Sequence, residues 1–127
     1  MKVFLEKISF IAVTTDLWKN LKLEYFLTIT GHFYLENFEY TSLILSFRKF
    51  SVAHDANNIR KFIIQELTRL NILNKVVSIT TDNEAAVKSA GSKIGEHVKW
   101  ISCLCHNMNL IAQNGLQLWK NPKKYCL

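Results

Sequence analysis

The sequence predicts an α/β fold built on a mixed five-stranded sheet, three antiparallel strands followed by alternating helices and strands. Three observations carry that prediction. The first third of the chain is dominated by β-branched and aromatic runs, the residue types that suit a pleated, half-buried surface. Apolar residues then switch to three- and four-residue steps at Ile59, Phe62, Ile63, Leu67 and Leu70, which is the period of an amphipathic helix. Two further β-branched runs end alike, in Val13-Thr-Thr-Asp16 and Ile79-Thr-Thr-Asp82.

Taken in order, Ser9 to Thr15 reads as a central strand, because its uncharged stretch suits a strand covered on both faces. After the polar interruption Lys19-Asn-Leu-Lys, Glu24 to Thr30 has strong strand propensity, and Gly31-His32 punctuates it. Phe38 to Phe47 supplies a third strand of the right length for a hairpin partner. The helix that follows is opened by Asp55 or Asn57 and ends near Asn71. Lys75 to Thr81 is a compact β-branched run and a buried fourth strand. Asp82-Asn83 open a second helix through about Ile94, Val98 to Leu104 is a fifth strand, and Asn107 to Trp119 is the final helix. The resulting order, βββαβαβα, is that of the ribonuclease H-like fold. Residues 1–119 read as one core, and 120–127, with the only proline at Pro122, read as a tail.

Composition bounds the function. The 127 residues fit one domain, and 49% apolar content with 20% charged excludes whole-chain disorder. Sixteen Lys plus Arg against ten Asp plus Glu leave a net charge of +6, which favours a polyanionic partner without naming one. Cys103, Cys105 and Cys126 are an odd number crowded into the last quarter, so a reduced, intracellular thiol set is expected rather than a disulfide framework. Charges at Lys2, Glu6 and Lys7 interrupt any signal-peptide core. No apolar run approaches the roughly 18 residues of a spanning helix, so a soluble chain, neither secreted nor membranous, is expected; no small-molecule substrate is expected for it either.

The chemistry rests on the two Thr-Thr-Asp endings. If the first and fourth strands lie side by side and parallel, Asp16 and Asp82 reach the same sheet edge. Two carboxylates that close call for a counter-charge, and oxygen ligands suit hard divalent ions such as Mg²⁺ or Mn²⁺. Such ions stabilise the attacking and leaving oxygens of a phosphodiester displacement. Read singly, Asp16 ends a strand before a turn and Asp82 caps the next helix.

Thr14-Thr-Asp16-Leu-Trp18, with Tyr25, Thr30 and His32 after it, resembles the opening catalytic block of the hAT-family transposases and their domesticated zinc-finger-BED relatives. The likeness continues at His54 with Asn57-Asn-Ile59, at Ile79-Thr-Thr-Asp82-Asn83 with Ala90, and at Cys103-Leu-Cys-His106 with Asn109-Leu110. These blocks come in family order over nearly the whole chain. The resemblance implies a nuclear protein with a ribonuclease H-like transposase core. In that core an Asp, Asp, Glu triad binds Mg²⁺ or Mn²⁺ for cleavage and strand transfer at transposon ends, with Asp16 and Asp82 matching the two aspartates as catalytic metal ligands. It also implies that Cys103 and His106 form the family's C-x-x-H element, which supports the active site and contacts DNA. The family's third acid follows a helical insertion domain, and no residue here matches it. The sequence is therefore expected to be a fragment or decayed copy that also lacks the BED finger and dimerisation region, with weak or no activity. The rival expectation is a domesticated, non-catalytic module that binds DNA or a partner protein.

Other residues carry plainer readings beside these. Cys103 and Cys105 flank a single residue, tighter than a structural zinc pair, so no zinc is expected from them with His97 and His106. Without the family, His106 reads as a polar residue at a helix entrance and Cys103 as a core thiol. Trp18 could stack on a nucleic-acid base, but a tryptophan beside a strand end is more often part of the core rim, which is the reading favoured here. Glu84, two residues past Asp82, points away or caps the helix. A core that normally packs against later helices would expose apolar surface, which predicts self-association.

Overall fold

The computed structural model describes residues 5–116. Trp119, Cys126 and the tail at 120–127 lie outside the described residues. Along the chain run β1 (Ile11–Lys19), β2 (Tyr25–Tyr34), β3 (Tyr40–Phe50), α1 (Ala56–Arg69), a 3₁₀ turn (Leu73–Lys75), β4 (Val76–Thr81), α2 (Ala85–Gly91), β5 (Lys99–Ser102) and α3 (Leu104–Gly115). The βββαβαβα order expected from the sequence is the order found. The sheet runs β3-β2-β1-β4-β5, with β1, β2 and β3 antiparallel and β4 parallel to both β1 and β5. This mixed sheet is ribonuclease H-like.

Several boundaries differ from the sequence reading. The first strand does not stop at Thr15 but continues through Lys19, because β2 pairs with it as far as Lys19 opposite Tyr25. Asp16 and Trp18 therefore sit within a strand rather than at its end. The second strand likewise passes through Gly31-His32 to Tyr34. The real turns are at Asn20–Glu24 and Leu35–Glu39, which share one backbone pattern: Asn20 N–H bonds Glu24 O and Leu23 N–H bonds Asn20 O, repeated by Leu35, Glu39 and Phe38. Leu23 and Phe38 take positive φ there, 63° and 61°. A left-handed position held by residues other than Gly or Asn leaves little sequence signal.

Helix α1 is delimited by its caps. Asp55, not Asn57, is the N-cap, and its side chain accepts the Asn58 N–H at 2.9 Å. At the other end Asn71 adopts φ 58°, while Ile72 N–H bonds Leu67 O and Asn71 N–H bonds Thr68 O, the two bonds of a Schellman motif.

Strand alternation decides which face is buried. Ile11, Val13, Thr15 and Leu17 point to one face, which α1 covers with Ile59, Ile63 and Leu67 and α2 with Val87 and Ala90. Ala12, Thr14, Asp16 and Trp18 point to the other. Among the described residues this second face is open: Phe10, Ile44, Phe47 and Ile101 are exposed on or beside it, and α3 buries no residue. The expectation that β1 is covered on both faces thus gives way to a one-sided core within residues 5–116. Coverage of a second face depends on packing elements, and an uncharged strand does not reveal which elements those are.

A buried charge ties the edge strand to the helix layer. Glu66 of α1 is buried, and it accepts from Arg69 at 2.7 Å and pairs with Arg48 of β3 at 3.4 Å. Burial pushes its pKa up, but the Arg69 hydrogen bond and the charges of Arg69 and Arg48 outweigh that and hold it below the ordinary carboxylate value. A depressed folded-state pKa contributes stability above the unfolded value, lost as pH falls through the folded one. Glu66→Gln is therefore expected to destabilise the chain at pH 7 by about 1 kcal/mol. Urea unfolding should show the gap between variant and natural chain closing as pH falls below about 4.5. A gap that stays constant down to acid pH would show that the carboxylate charge contributes nothing.

Candidate functional site

The parallel β1/β4 register brings the two Thr-Thr-Asp segments together. Thr14 pairs with Thr80, so Asp16 and Asp82, each two residues further on, come to adjacent positions at the same end of neighbouring strands. Neighbouring strands lie about 4.8 Å apart. On its other side β1 pairs with β2, with Asp16 opposite Thr28 and Thr14 opposite Thr30. The result is a small cleft of about 180 Å³ lined by Asp16, Asp82, Cys103 and the threonines Thr14, Thr15, Thr28, Thr30, Thr80 and Thr81.

Each acid is held differently. Asp16 is exposed on the open face of β1. Asp82 lies half-buried just past β4, and its Oδ1 accepts the Glu84 N–H at 3.1 Å. That bond closes a turn ahead of α2, which begins at Ala85, so Asp82 does not cap the helix as its sequence position allows. The backbone on its N-terminal side is pinned by Trp100 Nε1 donating to Thr81 Oγ1 at 3.0 Å, Thr81 Oγ1 donating to Asp82 O at 2.8 Å, and Cys103 N–H bonding Thr81 O at 2.8 Å.

The other expected site residues divide. Cys103 joins the acids in the cleft as the residue preceding α3, without a side-chain cap bond. His106 lies in the first turn of α3 and does not line the cleft. Trp18 is on the same face as Asp16 but stacks on Phe26 at 5.1 Å and Phe47 at 6.0 Å, with 40% of its surface exposed. It belongs to an aromatic cluster on the open face rather than to the core rim. Glu84 is turned toward His54, 3.5 Å from its Nε2, and adds no third carboxylate to the pair.

Two further hydrogen-bonded groups border the cleft. His32 lies between two hydroxyls, Thr14 Oγ1 at 3.1 Å and Tyr40 OH at 2.7 Å, linking the cleft wall to β3. Asn83, Ser102 and Asn107 hydrogen-bond one another across the far side of the cleft. The period-two alternation of β1 and β2 is the signal that places Thr14 and His32 on the acid face. No spacing rule links Asn83 to Asn107.

Apart from the Cys103 thiol, a soft donor that such a site would not use, the cleft offers carboxylates and hydroxyls, which suit a hard divalent cation. Asp16 and Asp82 are the side chains that would hold it. Among the described residues no group of three or more His, Cys, Asp or Glu side chains is arranged as a complete metal cage.

Comparison with solved structures finds similarity to the catalytic core domain of HTLV-2 integrase, in a dimeric form in complex with magnesium. Identity is 17% and the TM-score 0.40, over 91% of this chain and 76% of that one. Curated proteins give no match. The family model of the ZBED1 RNase-like domain matches residues 14–110, a span that opens on Thr14 in β1, contains both aspartates and closes within α3. With well over half its length under that match, the chain belongs to the ZBED1 RNase-like domain family.

Proposed function

We propose that this chain carries a hAT-like DNA transposase core, residues 1–119 with a tail at 120–127, acting on DNA in the nucleus. The observation that carries the reading is the Thr14/Thr80 register, which turns Asp16 and Asp82 into one cleft. A divalent ion bound there supplies charge stabilisation for a phosphodiester displacement. The carboxylates of Asp16 and Asp82 would hold and orient it, Thr14, Thr28 and Thr30 lie on the same sheet face, and Cys103 closes the wall on the β5 side. Two carboxylates form an incomplete cage, and metal-dependent chemistry is sensitive to small misplacements of its ligands. Asp16 and Asp82 would therefore need a further ligand to complete the cage for strand cleavage.

The test is a Mn²⁺ or Mg²⁺ titration followed by backbone NMR on the natural chain, Asp16→Asn and Asp82→Asn. Mn²⁺ should broaden resonances around both aspartates, and either substitution should abolish that effect. Broadening that is absent, or that survives both substitutions, sinks the metal reading.

A second reading is a domesticated module that binds DNA or a partner protein without metal. It is favoured by the open sheet face, where a groove of about 820 Å³ is lined by Phe10, Tyr34, Tyr40 and Val77. Clustered exposed apolar residues of this kind are the material of interaction surfaces, self-association included. Among the described residues no helix is long and apolar enough to cross a membrane.

A further inference from the structure

Resting on the proposed metal site, we infer that Asn83, Ser102 and Asn107 are positioning residues that fix the Asp82 carboxylate in the acid cleft. Their side chains close a ring. Asn83 Nδ2 donates to Asn107 Oδ1, Ser102 Oγ donates to Asn83 Oδ1 at 2.8 Å, and Asn107 Nδ2 donates to Ser102 Oγ at 2.9 Å. The ring joins three separate pieces of the fold: the segment between β4 and α2, the last residue of β5 and the first turn of α3. All three residues are half-buried, so the amides trade water for one another, and each lost member leaves two partners unpaired.

Its mechanical effect falls on residues 82 to 84. Helix α2 starts without a side-chain cap, so the ring does not serve the helix. Thr81 is anchored by Trp100 and by the Cys103 N–H, and Asn83 is anchored by the ring, which leaves Asp82 between two fixed neighbours. The Glu84 N–H then turns Oδ1 toward the backbone, and Oδ2 has no hydrogen-bond partner among the described residues. Groups that hold a metal ligand in this way typically change metal affinity by about 10- to 100-fold when removed.

The experiment uses the 127-residue chain and reads two quantities: Mn²⁺ affinity by water-proton relaxation, and hydrogen exchange of the amides at 82 to 84. Asn107→Ala and Ser102→Ala are each expected to weaken Mn²⁺ binding about tenfold or more and to speed exchange at Glu84. Ser102→Thr, which keeps the hydroxyl, should restore both. Asp55→Ala removes the α1 cap and controls for general destabilisation, so it should leave Mn²⁺ affinity unchanged. Exchange at 82 to 84 that is unaltered in Asn107→Ala overturns the inference, as does an equal loss of affinity in Asp55→Ala. If the natural chain binds no Mn²⁺, the metal reading fails by itself. The positioning inference is then decided by exchange alone, faster exchange in the ring variants supporting it and unchanged exchange overturning it.

Discussion

Ile63→Ala is expected to cost about 2–5 kcal/mol of folding stability, the range for truncating a fully buried aliphatic side chain. Ile63 is wholly buried on the inner face of α1, in one core with Val13, Leu27, Ile29 and Ile79 of the sheet. The cost has two parts: the apolar surface no longer removed from water, and the cavity that its neighbours cannot close. The inner layer is supplied mainly by α1 and α2, with Leu5, Ile72, Ile94 and Val98 buried beside them, and such close-packed neighbours relax little into the gap. Because domains of this size are stable by only about 5–15 kcal/mol, the variant should unfold at much lower urea. Equilibrium urea denaturation checks this, with Leu21→Ala as control. Leu21 is fully exposed, and its truncation should change stability by less than about 0.5 kcal/mol. Equal midpoints for the two variants would mean that α1 is not packed as described.

Gly31→Val should be nearly as damaging, at about 3 kcal/mol. Gly31 is buried in the middle of β2 with no positive φ, so glycine is needed there for space and not for backbone freedom. A Cβ at this position would meet Ile11 Cδ1 at 2.6 Å and Leu45 Cδ1 at 2.8 Å. Those atoms are ends of side chains, but Ile11 and Leu45 are themselves buried and have little room to rotate away. The diagnostic is a double-mutant cycle with Ile11→Val, which removes the closer of the two methyls. The pair should be more stable than the sum of the single losses by more than about 0.5 kcal/mol. Strict additivity would place the strain elsewhere.

The sequence marks Gly31-His32 as a break, and the structure shows why that signal misleads. A glycine required by close approach of neighbouring side chains looks the same in one dimension as a glycine required by a turn. Leu23 and Phe38 are the converse case, with true turn positions occupied by residues that carry no turn signal. Asp55 and Asn71, by contrast, mark the ends of α1 in both readings, because caps are made with residues within five positions along the chain.

The candidate site divides along the same line. Asp16 and Asp82 are legible because each follows a β-branched run, and strand periodicity is local. Cys103 reaches their cleft by the same topology, since β5 lies parallel to β4 and ends beside it. Trp18 and His106 carry the family resemblance equally well, yet they lie outside the cleft lining. One stacks on aromatic neighbours of β2 and β3 and the other lies along α3, and neither placement follows from sequence distance to an aspartate.

Element order, the mixed sheet and the family are legible in one dimension, because they follow from short-range periods and from motif blocks in fixed order. Three features emerge only in the folded chain: Asp16 lies within a strand, one sheet face is open among the described residues, and Asn83, Ser102 and Asn107 close a ring. Each of those depends on contacts between residues distant in the chain, 24 positions apart for Asn83 and Asn107. Such contacts form only when strand register and crossover have set which side chains share a face.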